Sequence, residues 1–258
     1  MKKLLALCLC LALLCPAALA VQTGEAPWTR SEGDGSYVTI RLEAPEWAGL
    51  DWSEQRLLCV RYADTKQPVA LTSDYLGNCL FATVPARDAD RPLEVFQGEE
   101  HRFPDCITVW EGNEYYNEFY GGGDLYLRGV VQGDEAGNLN AEDTLTRAEA
   151  FALLVRLLSL EPGDDPGYAD VAPGDWYYDA VSAARAAGIA AADETFNPNR
   201  TVTRGEFTVM LARAMEAVGW LTIPEDTENY TFNTVLADAD SLPDWAVGAY
   251  AAFDGRNV

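Results

Sequence analysis

Residues 139–158 read LNAEDTLTRAEAFALLVRLL, and residues 196–215 read FNPNRTVTRGEFTVMLARAM. Aligned at a fixed offset of 57, Asn140 matches Asn197, Thr144 matches Thr201, Thr146-Arg147 matches Thr203-Arg204, and Glu149 matches Glu206. Leu154 and Arg156 likewise match Leu211 and Arg213. Identities at one spacing mark an internal repeat, and repeats stack as supersecondary units that bury a core only together. Thr146 and Thr203 stand at helix N-cap positions with Glu149 and Glu206 three residues on. In that capping box, hydroxyl and carboxylate satisfy the free N–H groups of a helix start. Phe151, Leu154, Val155 and Leu158, and in the second copy Phe207, Met210, Leu211 and Ala214, recur at helical spacing. Each copy therefore predicts a turn-rich loop followed by an amphipathic helix.

Working outward, Tyr168-Ala169-Asp170-Val171 leads into Asp175-Trp176-Tyr177-Tyr178-Asp179-Ala180-Val181, then an alanine-rich stretch ending at Gly188. That stretch predicts a second helix with glycine at its C-terminal cap. Gly129-Val130-Val131 resembles Gly188-Ile189-Ala190, with a two-residue difference in the loop that follows. The opening of the unit returns as Leu236-Ala237-Asp238, followed by Asp244-Trp245-Ala246-Val247. The expected boundaries are an altered first repeat at 124–160, a complete one at 168–219 and the start of a third at 236–258.

These motifs resemble the S-layer homology repeat: a Tyr-Ala-Asp-Val start, Asp-Trp-Tyr-Tyr-Asp-Ala-Val, a Gly-Ile turn, a Phe-Asn-Pro-Asn loop and a Thr-Arg-(Ala/Gly)-Glu helix. The resemblance covers roughly residues 124–258. It implies an all-helical module whose grooves bind an anionic, often pyruvylated, cell-wall polysaccharide. By that resemblance Arg147 and Arg204 lie in the grooves, where a planar guanidinium fork suits a carboxylate on a sugar. Trp176 and Trp245 would stack on sugar rings, and Asp170 and Asp238 would orient groove residues or accept sugar hydroxyls. Thr146, Glu149, Thr203 and Glu206 remain structural caps. The chain departs from the family at Asp193-Glu194-Thr195-Phe196, which lacks the usual glycines, and at Gly205, which replaces alanine.

The N-terminus supplies a separate expectation. Met1-Lys2-Lys3, an apolar run from Leu4 to Leu14 and Ala18-Leu19-Ala20 have the form of a secretory signal peptide, spanning residues 1–20. The 258 residues carry a formal net charge of −23 at pH 7. Nucleic acid and anionic lipid are poor partners for such a surface, and after the leader no apolar run is long enough to cross a bilayer. Cys59, Cys79 and Cys106 would remain, so at most one internal disulfide can form. With His101 the single histidine and no CxxC spacing, neither a metal site nor a cofactor is expected.

Residues 21–120 read as short strands: 37–42, 56–62, 79–85, 93–96 and 106–110, with Cys59 and Cys79 on adjacent predicted strands. Their spacing suggests a small β-sandwich, so the fold class expected is α+β, a β-rich domain followed by helical repeats. His101 has no serine or cysteine partner pattern, and no nucleophile motif is present. The functional expectation is a secreted, cell-surface protein anchored non-covalently to the wall, and not an enzyme. Two alternatives stand beside it: a structural or assembly protein that packs against other surface proteins, and a secreted enzyme carrying a wall-targeting module.

Overall fold

The computed structural model describes residues 37–43, 50–75, 79–116, 122–227, 230–232 and 242–254. The expected leader and the expected start of a third repeat, Asp238 included, lie outside the described residues. The chain mixes small antiparallel sheets with helices. It divides into two compact units, one running through Asp143 and the other beginning at Thr144.

In the first unit, β1 (Tyr37–Glu43) precedes a single helical turn, α1 (Trp52–Gln55), and β2 (Leu58–Tyr62). Then come β3 (Leu71–Tyr75), β4 (Cys79–Pro85) and β5 (Leu93–Gln97). β4 lies between β1 and β3 in one antiparallel sheet, while β2 pairs with β5 in another. The register sets Val38 opposite Val84, Ile40 opposite Ala82 and Leu42 opposite Leu80. Because side chains alternate along a strand, this places one apolar row on one face. Val38, Leu80, Ala82 and Val84 share a core with Leu58, Val60, Tyr62 and Val69 from around the second sheet. Cys59 and Cys79 belong to different sheets. Cys59 and Cys106 are buried free thiols, and burial pushes each up to about 11.

Two strands escaped the sequence reading. β3 is one. The other is β7 (Asn113–Tyr116), which folds back on β6 (Ile107–Trp110) as a hairpin. Its turn is Glu111-Gly112, both at positive φ (52° and 80°), the backbone that a two-residue hairpin turn demands. After the hairpin, α2 (Gly123–Leu127) is one short turn of helix. His101 stacks on Tyr126 of α2 at 3.6 Å between ring centroids and meets Phe103 edge-on at 4.5 Å.

The second unit is helical: α3 (Arg147–Leu157), α4 (Tyr178–Ala186), α5 (Arg204–Ala217) and α6 (Asp244–Phe253). α3 packs on α4, and α5 packs on α6. The apolar faces predicted from periodicity are those that vanish from solvent: Phe151, Leu154, Phe207 and Leu211 are at most 1 % exposed. Val209, Ala212, Leu221, Ala246 and Ala249 close the α5–α6 interface. α4 ends where the glycine signal stood. Gly188 takes a φ of 74° and gives its N–H to the Arg185 carbonyl. No described helix is long and apolar enough to cross a membrane.

Candidate functional site

The site is built around the junction of α3 with the loop before α5. α3 starts on a complete capping box. Thr146 Oγ1 accepts the Glu149 N–H at 3.3 Å, and Glu149 Oε2 accepts the Thr146 N–H at 2.8 Å. The next two N–H groups are taken by the second repeat's loop. Arg147 donates to the Arg200 carbonyl at 2.8 Å and Ala148 to the Pro198 carbonyl at 3.0 Å. Val202 returns a bond to the Leu145 carbonyl at 2.9 Å. All of these groups belong to the exposed end of a helix that would otherwise need water.

Arg147, at the first position of α3, is the central side chain. Its guanidinium carbon lies 5.1 Å from the Phe151 ring centre and 4.9 Å from that of Phe196. Two aromatic faces attract the cation and hold it in place. Burial, and then the neighbouring positive charge of Arg200, push its ionisation below the ordinary arginine range. Among the described residues it makes no ion pair and no side-chain hydrogen bond. A half-buried, pre-placed cation with no counter-ion among the described residues is suited to a small anion.

Asp170 shapes the wall of this junction. Its two oxygens accept the N–H groups of Phe196 and Asn197, each at 2.7 Å. Burial opposes its ionisation, but those donors prevail and hold the carboxyl below its usual range. Asn197 sits in the left-handed region at φ 58°, a conformation that Asn tolerates well. Phe196 packs on Tyr168, whose hydroxyl donates to the Ala191 carbonyl. Arg147 and Asp170 thus converge on Phe196, one over its ring and one on its backbone.

The remaining predicted residues are placed less centrally. Trp176 is 62 % exposed and touches Tyr177 edge-on. Trp245 is 56 % exposed, and its ring edge lies 3.7 Å from where a side chain on Gly205 would begin. Neither tryptophan is a core residue. Arg204 is exposed at the first position of α5. α5 carries its own capping box, Thr203 with Glu206. Burial works against the Glu206 carboxylate, yet Thr203 and an ion pair with Arg200 at 2.7 Å hold it below its ordinary range.

Two residues that the sequence did not single out emerge. Arg200 is one, as the ion-pair partner of Glu206 and the residue whose carbonyl accepts the Arg147 N–H of α3. Asp105 is the other. It accepts the N–H groups of Leu139 and Asn140 at 2.9 and 2.6 Å, repeating the grip of Asp170 on Phe196 and Asn197. Phe103-Pro104-Asp105-Cys106 therefore does for the first repeat what Tyr168-Ala169-Asp170-Val171 does for the second. Phe103 and Tyr168 are both buried, and the Cys106 and Val171 N–H groups donate back to them in the same way. The shared pattern, aromatic-x-Asp-apolar, was visible in the sequence. The β6–β7 hairpin hid it by adding residues between the aspartate and the loop it holds.

Comparison with known proteins agrees with this layout. The S-layer homology domain profile matches residues 124–151 and 167–208. The surface-layer 125 kDa protein of Lysinibacillus sphaericus is 36 % identical over 120 residues, covering 46 % of this chain and 9 % of that protein. The amylopullulanase of Thermoanaerobacterium thermosulfurigenes is 35 % identical over 124 residues, covering 47 % of this chain and 6 % of its own length. The middle cell wall protein of Brevibacillus brevis is 34 % identical over 98 residues, covering 35 % and 9 %. The chain thus spans less than a tenth of the length of these relatives.

Proposed function

We propose, for a chain that carries an S-layer homology domain and is a cell-surface, cell-wall-associated protein, that it anchors non-covalently by binding an anionic wall polysaccharide at Arg147. The observation that carries this reading is the Arg147 guanidinium, held between Phe151 and Phe196 with no acidic partner among the described residues. A carboxylate on a sugar, such as a pyruvyl group, would accept a forked pair of charge-assisted hydrogen bonds from it. Asp170 keeps the Phe196–Asn197 backbone in place beneath the site and is a positioning residue. The exposed Trp176 offers an apolar face for a neighbouring sugar ring. Arg204, with Trp245 approaching the Gly205 that follows it, offers a second, more open position of the same kind.

In this reading the β-rich unit is the cargo displayed at the surface, shaped as a small sandwich, and the chain has a binding role with no catalytic step. An assembly role toward other surface proteins is the second reading, favoured by the relatives named for surface layers. The test is co-sedimentation of the chain with purified bacterial wall sacculi, before and after extraction of the wall polysaccharide. Binding should disappear on extraction and fall at least about tenfold in Arg147→Ala, the loss expected when one charge-assisted contact worth some 1.5–3 kcal/mol is removed. Unchanged binding to extracted walls would overturn the polysaccharide reading.

A further inference from the structure

α2 and α4 end on the same piece of backbone. The Val130 N–H donates to the Leu125 carbonyl and the Ile189 N–H to the Ala184 carbonyl, both at 2.9 Å. The next N–H groups, of Val131 and Ala190, reach the same two carbonyls at 3.4 and 3.1 Å. Leu125 and Ala184 are therefore equivalent, and so are the residues that follow them, Tyr126 in the first repeat and Arg185 in the second. Tyr126 is used within its own unit, stacked on His101. Arg185 is half-buried, and its guanidinium makes no ion pair and no hydrogen bond among the described residues. The end of a helix favours a cation, yet the first repeat forms the same turn with a tyrosine there. The fold of the turn does not require the arginine.

Tyr168 and Phe196 connect the end of α4 to the Arg147 pocket. The chain leaving α4 runs from Ala190, bonded back to Ala184, to Ala191, whose carbonyl accepts the Tyr168 hydroxyl. The Tyr168 ring packs on Phe196 with 5.4 Å between centres, and the Arg147 guanidinium carbon lies 4.9 Å from the Phe196 ring. Burial pushes the Tyr168 hydroxyl above the ordinary tyrosine range, while the charges of Arg185 and then Arg147 draw it back. Both cations thus act on one hydroxyl. The exposed Asp193 carboxylate is felt there too, but it forms no ion pair with either arginine among the described residues. We infer that Arg185 is a second anion contact of the Arg147 site, so that the site takes a polysaccharide segment with two anionic groups, one at each guanidinium. The inference rests on the polysaccharide reading of Arg147 and adds the class of segment recognised. Once one group is seated, the second binds as an intramolecular event, which raises affinity without any new contact to the first. A guanidinium fork suits a carboxylate or a phosphate at either place.

The experiment is calorimetry of the full chain with fragments of anionic wall polysaccharide, separated by anion exchange into those with one and those with two anionic groups. The parent should bind the doubly charged fragments at least about tenfold more tightly than the singly charged ones. Arg185→Gln, with an unchanged melting temperature, should abolish that preference and leave the affinity for singly charged fragments as it was. Arg185→Lys should keep part of the preference, since it keeps the charge but not the fork. Arg147→Ala should weaken both kinds of fragment, and a folded variant that binds both as the parent does would remove the underlying reading and this inference with it. Equal affinity of the parent for the two kinds, with Arg147→Ala still weakening both, would overturn this inference alone. So would a folded Arg185→Gln variant that keeps the preference, or one that loses both kinds equally.

Discussion

The two repeats share one hydrogen-bonded skeleton but differ in what hangs on it. Each has an aspartate that grips two backbone N–H groups of a loop, a left-handed asparagine and a Thr/Glu box at a helix start. The positive-φ glycine turn also recurs. The Val130 and Ile189 N–H groups donate to Leu125 and Ala184, both at 2.9 Å, after Gly129 and Gly188 at φ 72° and 74°. What differs lies at the surface. The second repeat has Phe196, Arg200 and an exposed Trp176 where the first has Leu139, Asp143 and the β6–β7 hairpin. The skeleton thus encodes the fold of the unit, and the variable positions decide what the unit can hold. An aromatic and a neighbouring helix start make an arginine pocket in one, while Asp105, Glu142 and Asp143 line a cavity in the other.

The largest expected difference between the repeats lies at the loop position that ends in Phe196 or Leu139. Phe196 is 1 % exposed and sits against Phe151, Tyr168 and Arg147. Phe196→Ala should destabilise the helical unit by about 3–5 kcal/mol, and Leu139→Ala, half-buried, by about half as much, as read by denaturant unfolding. Equal losses would mean that the two loops are packed alike. Next comes the aspartate grip. Asp170→Ala strands two N–H groups and should cost about 2 kcal/mol, whereas removing the more exposed Asp105, which water can replace as the acceptor, should cost less.

The capping boxes should be the point of greatest similarity. Thr146→Ala and Thr203→Ala should each cost about 1 kcal/mol, and a large disparity would break the claim of a common skeleton. The smallest effect concerns Arg200, whose ion pair with Glu206 is half-exposed (46 % and 24 %). Arg200→Ala should change stability by less than about 1 kcal/mol. It should, however, move the acid limb of unfolding. The Asp170 and Glu206 carboxyls are held below their ordinary ranges. Their contribution is therefore complete above the unfolded carboxylate range, about pH 4, and is lost as pH falls through the lower folded values. Melting curves taken from about pH 6 down to about pH 2.5 should show Glu206→Gln losing less stability on acidification than the parent.

Much of this was legible in the sequence because the relevant physics is local. A Thr-x-x-Glu cap, a 3.6-residue apolar rhythm and a glycine at a helix end each act within one or two turns. They pointed to α3, α4 and α5 without reference to the rest of the chain. The arginine pocket was legible only by resemblance. That Phe151 and Phe196 would close around Arg147 depends on two segments far apart along the chain. Asp105 was hidden for a related reason. The hairpin between it and Asn140 broke the constant spacing on which repeat detection relies, although the aromatic-x-Asp-apolar signature was intact. β3 and β7 were missed because each is a short strand of mixed polarity. Asn113–Tyr116 has no apolar alternation, and pairing with β6 through a two-residue turn is what makes it a strand.

The most direct test of the central claim is the affinity of the chain for soluble, pyruvylated wall polysaccharide, measured by calorimetry for the parent, Arg147→Lys, Arg147→Ala and Arg204→Ala. The arrangement of a pre-placed guanidinium between two rings predicts a loss of at least about tenfold for Arg147→Ala. It predicts a partial loss for Arg147→Lys, which keeps the charge but not the fork, and a smaller loss for Arg204→Ala. Binding that is unaffected by Arg147→Ala, with the variant folded, would contradict the account.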